Sequence, residues 1–144
     1  MDILEHFDHQ GKKQNKEHFT DLIQIAMADG IIDHKESEML HRIGKKMGFT
    51  ETEIDDLIEE TSKSVFNPPY EFSKRFEHIY NIVKMILVDG VIDKNEMRLA
   101  NGIATKLSFS ENEIPNLLVL LISGIREGKD EEDLFEAYKI GRKV

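Results

Sequence analysis

The chain repeats itself at a constant offset of 60 residues, and no gap is needed to align the copies. Asp29-Gly30-Ile31-Ile32-Asp33-His34-Lys35-Glu36 returns as Asp89-Gly90-Val91-Ile92-Asp93-Lys94-Asn95-Glu96. The register continues outside these segments. His18 pairs with His78, Leu22 with Ile82, Ile43 with Ile103, Phe49 with Phe109, Glu53 with Glu113 and Leu57 with Leu117. A repeat of this length resembles a helical unit that cannot bury its apolar face alone. Two copies, over about 16–64 and 76–124, predict a closed single domain of 1–144 rather than an open solenoid.

The apolar periodicity is helical throughout. Phe19, Leu22, Ile23, Ala26 and Met27 form one stripe; Met39, Leu40, Ile43 and Met47 form the next; Ile54, Leu57 and Ile58 follow. Asn67-Pro68-Pro69 breaks the chain between the copies. Beyond it a long helix is expected over about 70–88, with Phe72, Phe76, Ile79, Ile82, Val83, Ile86 and Leu87 on one face. Leu99, Ile103 and Leu107 mark another helix, and Ser110 with Glu113 opens a further one. Pro115 sits where a backbone donor is already needed, so that helix starts late or kinks. Residues 127–130 read as a loop, and Leu134, Phe135, Tyr138 and Ile140 as a last short helix. Residues 1–15 read as a polar extension, with Gly11-Lys12-Lys13-Gln14-Asn15 as a linker and Asn15 capping the first repeat helix. The expected fold is all-α: six to seven helices in a compact bundle, built as two pseudo-twofold-related three-helix halves.

Charge narrows the function classes. With 19 Lys+Arg against 28 Asp+Glu, the net charge is −9. A nucleic-acid binder needs a basic face, so cations or basic protein surfaces are the expected partners. There is no Cys, which excludes disulfides and thiolate metal sites. No apolar run approaches the ~20 residues of a membrane span, and no secretory leader is read at the N-terminus; the expected location is cytoplasmic.

The acidic segments are the candidate site. Asp33 with Glu36, and Asp93 with Glu96, have the D-x-x-E spacing of a capping box. Asp29 and Asp89 fall at the end of the preceding helix, where the macrodipole disfavours a negative charge by about 0.3–1 kcal/mol. Three carboxylates close to free helix-end carbonyls would offer oxygen ligands of the kind hard divalent cations take. The metal candidates are therefore Asp29, Asp33, Glu36, Asp89, Asp93 and Glu96, the ion being an unidentified divalent cation. The alternative is that these residues only cap helices. An ordinary EF-hand does not fit. With Gly30 at the sixth loop position, the first and third fall on Ile25 and Met27, and in the second copy on Met85 and Leu87.

These segments, preceded by Ala28 in one copy and Val88 in the other, resemble the TerB-like tellurite-resistance family, which also includes the N-terminal domain of the membrane-anchored co-chaperone DjlA. The resemblance runs from about residue 16 to 140. It implies an all-helical domain, a metal site at the same six acidic residues, and a stress-response role. The expectation is a non-enzymatic module binding a divalent cation, a protein partner, or both. The alternative is an interaction or co-chaperone-type domain whose acidic segments only cap helices.

Other polar groups carry less. His34, Glu38 and His41 share a helix face that reads as solvated, because the second copy has Lys94, Arg98 and Asn101 there. His18 and His78 lie about eleven residues before the acidic segments, roughly 16 Å along a helix, too far to share a ligand. No nucleophile elbow, P-loop or HExxH is present.

Overall fold

A computed structural model describes residues 3–28, 33–63 and 66–142, with side chains described from 15 to 141 of these. Among these residues seven α-helices run in order: α1 (Ile3–Ala26), α2 (His34–Lys46), α3 (Glu51–Thr61), α4 (Phe72–Ile86), α5 (Lys94–Lys106), α6 (Ile114–Arg126) and α7 (Glu131–Arg142). Among the described residues there is no strand. The all-α expectation holds.

The chain divides into two compact units, Met1–Phe66 and Asn67–Val144. The boundary falls at the Asn67-Pro68-Pro69 break. In the first unit α1, α2 and α3 pack on one another. In the second, α4, α5 and α6 do the same, and α7 lies against α4 and α6.

The 60-residue register survives in the helix bounds. α2 and α5 coincide at both ends, and α1 and α4 end at corresponding residues. α3 and α6 differ. Thr50 opens α3 through a full capping box with Glu53. At the equivalent place in the second unit, Ser110 N–H donates to Glu113 at 3.2 Å, yet residues 111–113 form turns and the helix begins at Ile114. Pro115 accounts for the delay: placed in the first turn, its missing N–H falls among donors that have no helical partner anyway.

One expectation fails. Residues 11–15 are not a linker, and Asn15 does not cap a helix; both lie inside the continuous α1. A lone Gly costs about 1 kcal/mol in a helix. Extending a helix that has already nucleated adds one hydrogen bond per residue fixed. The Lys-Lys-Gln run that follows consists of good helix formers.

Each core is built from the apolar stripes. Phe19, Leu22, Ile23, Leu40, Ile43, Phe49 and Ile54 are buried in the first unit, and the Phe19 and Phe49 rings stack with centroids 5.4 Å apart. α2 crosses its neighbours closely at Gly44. A methyl carbon built there would sit 2.7 Å from Ile54 Cδ1 and 2.9 Å from the Phe19 ring. In the second unit, Phe72 contacts Phe109, Phe135 and Tyr138 at 5.7–5.8 Å between centroids, and Phe76 packs on Phe135 at 5.1 Å. The aromatic residues of α7 therefore close a face that the first unit builds without a fourth helix.

Candidate functional site

The acidic segment of the second unit is described throughout. α4 runs into a single 3-10 turn, Leu87–Asp89, and Gly90 follows in the left-handed conformation at φ +82°. Only Gly adopts that region without a Cβ clash. Asp89 is exposed, and its Oδ1 accepts from Val91 N–H at 3.1 Å. This bond across the turn offsets the unfavourable helix-end position of the charge.

Asp93 caps α5. Its Oδ1 accepts from Glu96 N–H at 2.8 Å, and Glu96 Oε1 accepts from Asp93 N–H at 3.2 Å. The box is reciprocal, and Glu96 is fully buried. A buried carboxylate requires polar partners, because an unpartnered one is strongly disfavoured in low dielectric. The Asp93 N–H at the helix start provides one.

In the first unit Asp29, with Gly30, Ile31 and Ile32, lies outside the described residues. Asp33 is exposed and caps α2, its Oδ1 accepting from Glu36 N–H at 2.7 Å. Glu36 is half-buried in the first turn. Among the described residues, no group of three or more His, Asp or Glu side chains lies close enough together to hold a metal ion. Asp89, Asp93 and Glu96 are all in that set; the structure does not bring them together as a ligand cluster.

The helix face carrying His34, Glu38 and His41 is divided. His34 Nε2 lies 3.0 Å from Glu38 in an exposed pair. His41 turns instead to α3. Its Nδ1 is 2.7 Å from the Ser37 carbonyl oxygen and its Nε2 is 2.7 Å from Asp55 Oδ1. Burial alone would lower the His41 pKa, but the bonds to Ser37 and Asp55 and the charges of Asp55 and Glu51 raise it above 6.5 overall. Sequence reasoning missed this pair because its members are 14 residues apart on different helices. The only signal was comparative: Asn101 and Pro115 stand at the equivalent positions.

A second electrostatic group lies where α7 meets α4. Burial raises the Glu131 carboxyl pKa, and the charges of Glu77, Asp130 and Glu132 add to the effect while Lys74 opposes it. Lys74 lies 3.5 Å from Glu77. The Tyr80 hydroxyl is likewise pushed up, by burial and then by Glu131 and Asp130.

No helix among the described residues is long and apolar enough to cross a membrane. No protein-family model, curated protein or solved structure matches the chain.

Proposed function

We propose that the chain is a non-enzymatic helical interaction module whose duplicated acidic segments are architectural. They shape the turn between two helices and cap the second one. One observation carries this reading: the reciprocal box between Asp93 and Glu96 engages both residues with the backbone at the start of α5. With Asp89 committed to Val91 N–H, each candidate carboxylate of that segment has a bond that fixes local backbone.

The partner that suits this surface is a basic protein. Net charge is −9, and α3 presents Glu51, Asp55, Asp56, Glu59 and Glu60 on exposed positions. Such a face accelerates encounter with a positively charged partner and weakens with salt. The TerB-like resemblance supports the divalent-cation alternative, centred on Asp29, Asp33 and Glu36, and a stress-response role with it.

Calorimetric titration of the wild-type protein with Ca²⁺, Mg²⁺, Mn²⁺ and Zn²⁺ separates the two. The architectural reading expects no saturable heat up to millimolar metal. Saturable heat that disappears in Asp29→Asn would instead assign the first acidic segment as a cation site.

A further inference from the structure

We propose that His41 is a protonation-dependent clasp between α2 and α3, present in the first unit and missing from the second. The Ser37 carbonyl oxygen only accepts, so His41 Nδ1 carries a proton at 2.7 Å. The ionised Asp55 carboxylate also only accepts, so Nε2 carries one at 2.7 Å. A ring with protons on both nitrogens is the imidazolium. The geometry is therefore that of a cation held between a carbonyl on its own helix and a carboxylate on the next.

The surroundings favour that form. The His41 side chain is 21 % exposed, which limits screening by water. The charges acting on the ring are Asp55 and Glu51, both on α3, and none comes from the described residues of α1. Lys45, one turn further along α2, lies 3.8 Å from Glu51, so a second, weaker link runs beside the first.

The second unit lacks the parts. Asn101 replaces His41 and turns back to the Met97 carbonyl of its own helix at 3.5 Å. Pro115 replaces Asp55. Neither residue titrates.

A folded-state pKa above the ordinary 6.5 sets the direction. The native state binds more protons than the unfolded state. The clasp is fully present below 6.5 and is lost as pH rises through the folded-state value. Loss of the ring proton at that value leaves one nitrogen facing an acceptor without a hydrogen. It weakens the hold of α3 on α2, the helix that Asp33 caps.

The test is a ¹⁵N–¹H long-range NMR titration of the full chain, with the His41 signals assigned by their loss in His41→Asn. The expected wild-type result is a doubly protonated His41 ring at pH 6 and a midpoint above 6.5. In Asp55→Asn, a change at an exposed side chain, the midpoint should fall. Amide exchange should show the matching step. In wild type, α2 and α3 amides lose protection as pH rises through the His41 midpoint, beyond the chemical acceleration that α5 and α6 amides report. In Asp55→Asn and His41→Asn that extra step is absent. A neutral single tautomer at pH 6 in wild type, or a midpoint unmoved by Asp55→Asn, overturns the proposal. The wild-type ring signals decide the first point even if a variant folds poorly.

Discussion

Helices α2 and α5 begin and end at equivalent residues and follow homologous acidic segments, yet the two units fasten them by different means. In the first unit, Gly44 lets α2 approach Ile54 and Phe19 closely, and a hydrogen bond joins the partly buried His41 to Asp55. In the second, Ala104 stands where Gly44 would, and Glu96 is buried where Glu36 is half-buried. An aromatic cluster completed by α7 covers the face of α4. The turn after each helix differs too. Gly48 takes φ +93°, while Ser108 takes φ +70° at the equivalent place. The Ser108 carbonyl accepts from Arg75 at 3.2 Å, and the Arg75 guanidinium lies 5.4 Å from the Phe72 ring centre and 5.8 Å from that of Phe109. A side chain that disfavours the left-handed region is thus kept there by a neighbour the first unit lacks. The comparison teaches that one apolar repeat tolerates two polar solutions, because the stripe decides which faces are buried and the polar residues decide how tightly each turn is held.

The largest effect that bears on this comparison should come from Glu96. Glu96→Ala removes the acceptor for Asp93 N–H and empties a fully buried volume, so a loss of about 2–3 kcal/mol is expected. Glu36→Ala, at a half-buried position, should cost about 1 kcal/mol. Urea unfolding of both variants measures the difference. Equal losses would break the distinction between the fully buried Glu96 and the half-buried Glu36.

A smaller effect tests the close approach of α2. In Gly44→Ala, overpacking against Ile54 and Phe19 costs about 1–3 kcal/mol, and the better helix former returns about 1 kcal/mol. The net is a loss of up to about 2 kcal/mol by thermal or denaturant unfolding. The reverse change in the other unit, Ala104→Gly, loses about 1 kcal/mol through propensity, and removal of the buried Ala104 methyl adds to that loss. A stabilised Gly44→Ala would show that α2 moves out freely, and that the two units do not differ in packing there.

The smallest effect is electrostatic. The Glu131 carboxyl pKa is raised in the folded state, by burial and then by Glu77. The native state therefore binds more protons than the unfolded one, and this group's contribution to stability rises as pH falls through its folded-state value toward the ordinary 4.5. Glu131→Gln should stabilise the protein at pH 7 by about 0.2–0.5 kcal/mol, the scale of a solvated like-charge contact. The gain should vanish at acid pH. A gain that persists there would assign the effect to packing rather than charge.

Much of the architecture was legible in the residues. The helical stripes, the break at Asn67, the late start at Pro115 and the turn at Gly90 all depend on local geometry, which neighbouring residues dictate. The capping spacing of Asp93 and Glu96 was legible for the same reason. What spacing left open was whether those carboxylates meet Asp89. Gly90 reverses the chain, and only the three-dimensional path shows Asp89 bonding to Val91 N–H while Asp93 and Glu96 bond to each other. The linker expected at residues 11–15 failed because continuing a helix costs less than a lone Gly and a polar run suggest.

By itself, the sequence determined the duplication, read from the 60-residue register, and the helical class and the capping of α2, α3 and α5, which depend on residues within about one turn of one another. Tertiary structure alone decided that His41 faces Asp55, that Glu131 lies within reach of the Glu77 charge and that Phe72 meets Tyr138. Those pairs are far apart along the chain, and packing brings them together: burial of the apolar stripes fixes helix positions first, and the polar residues meet whatever that packing places beside them.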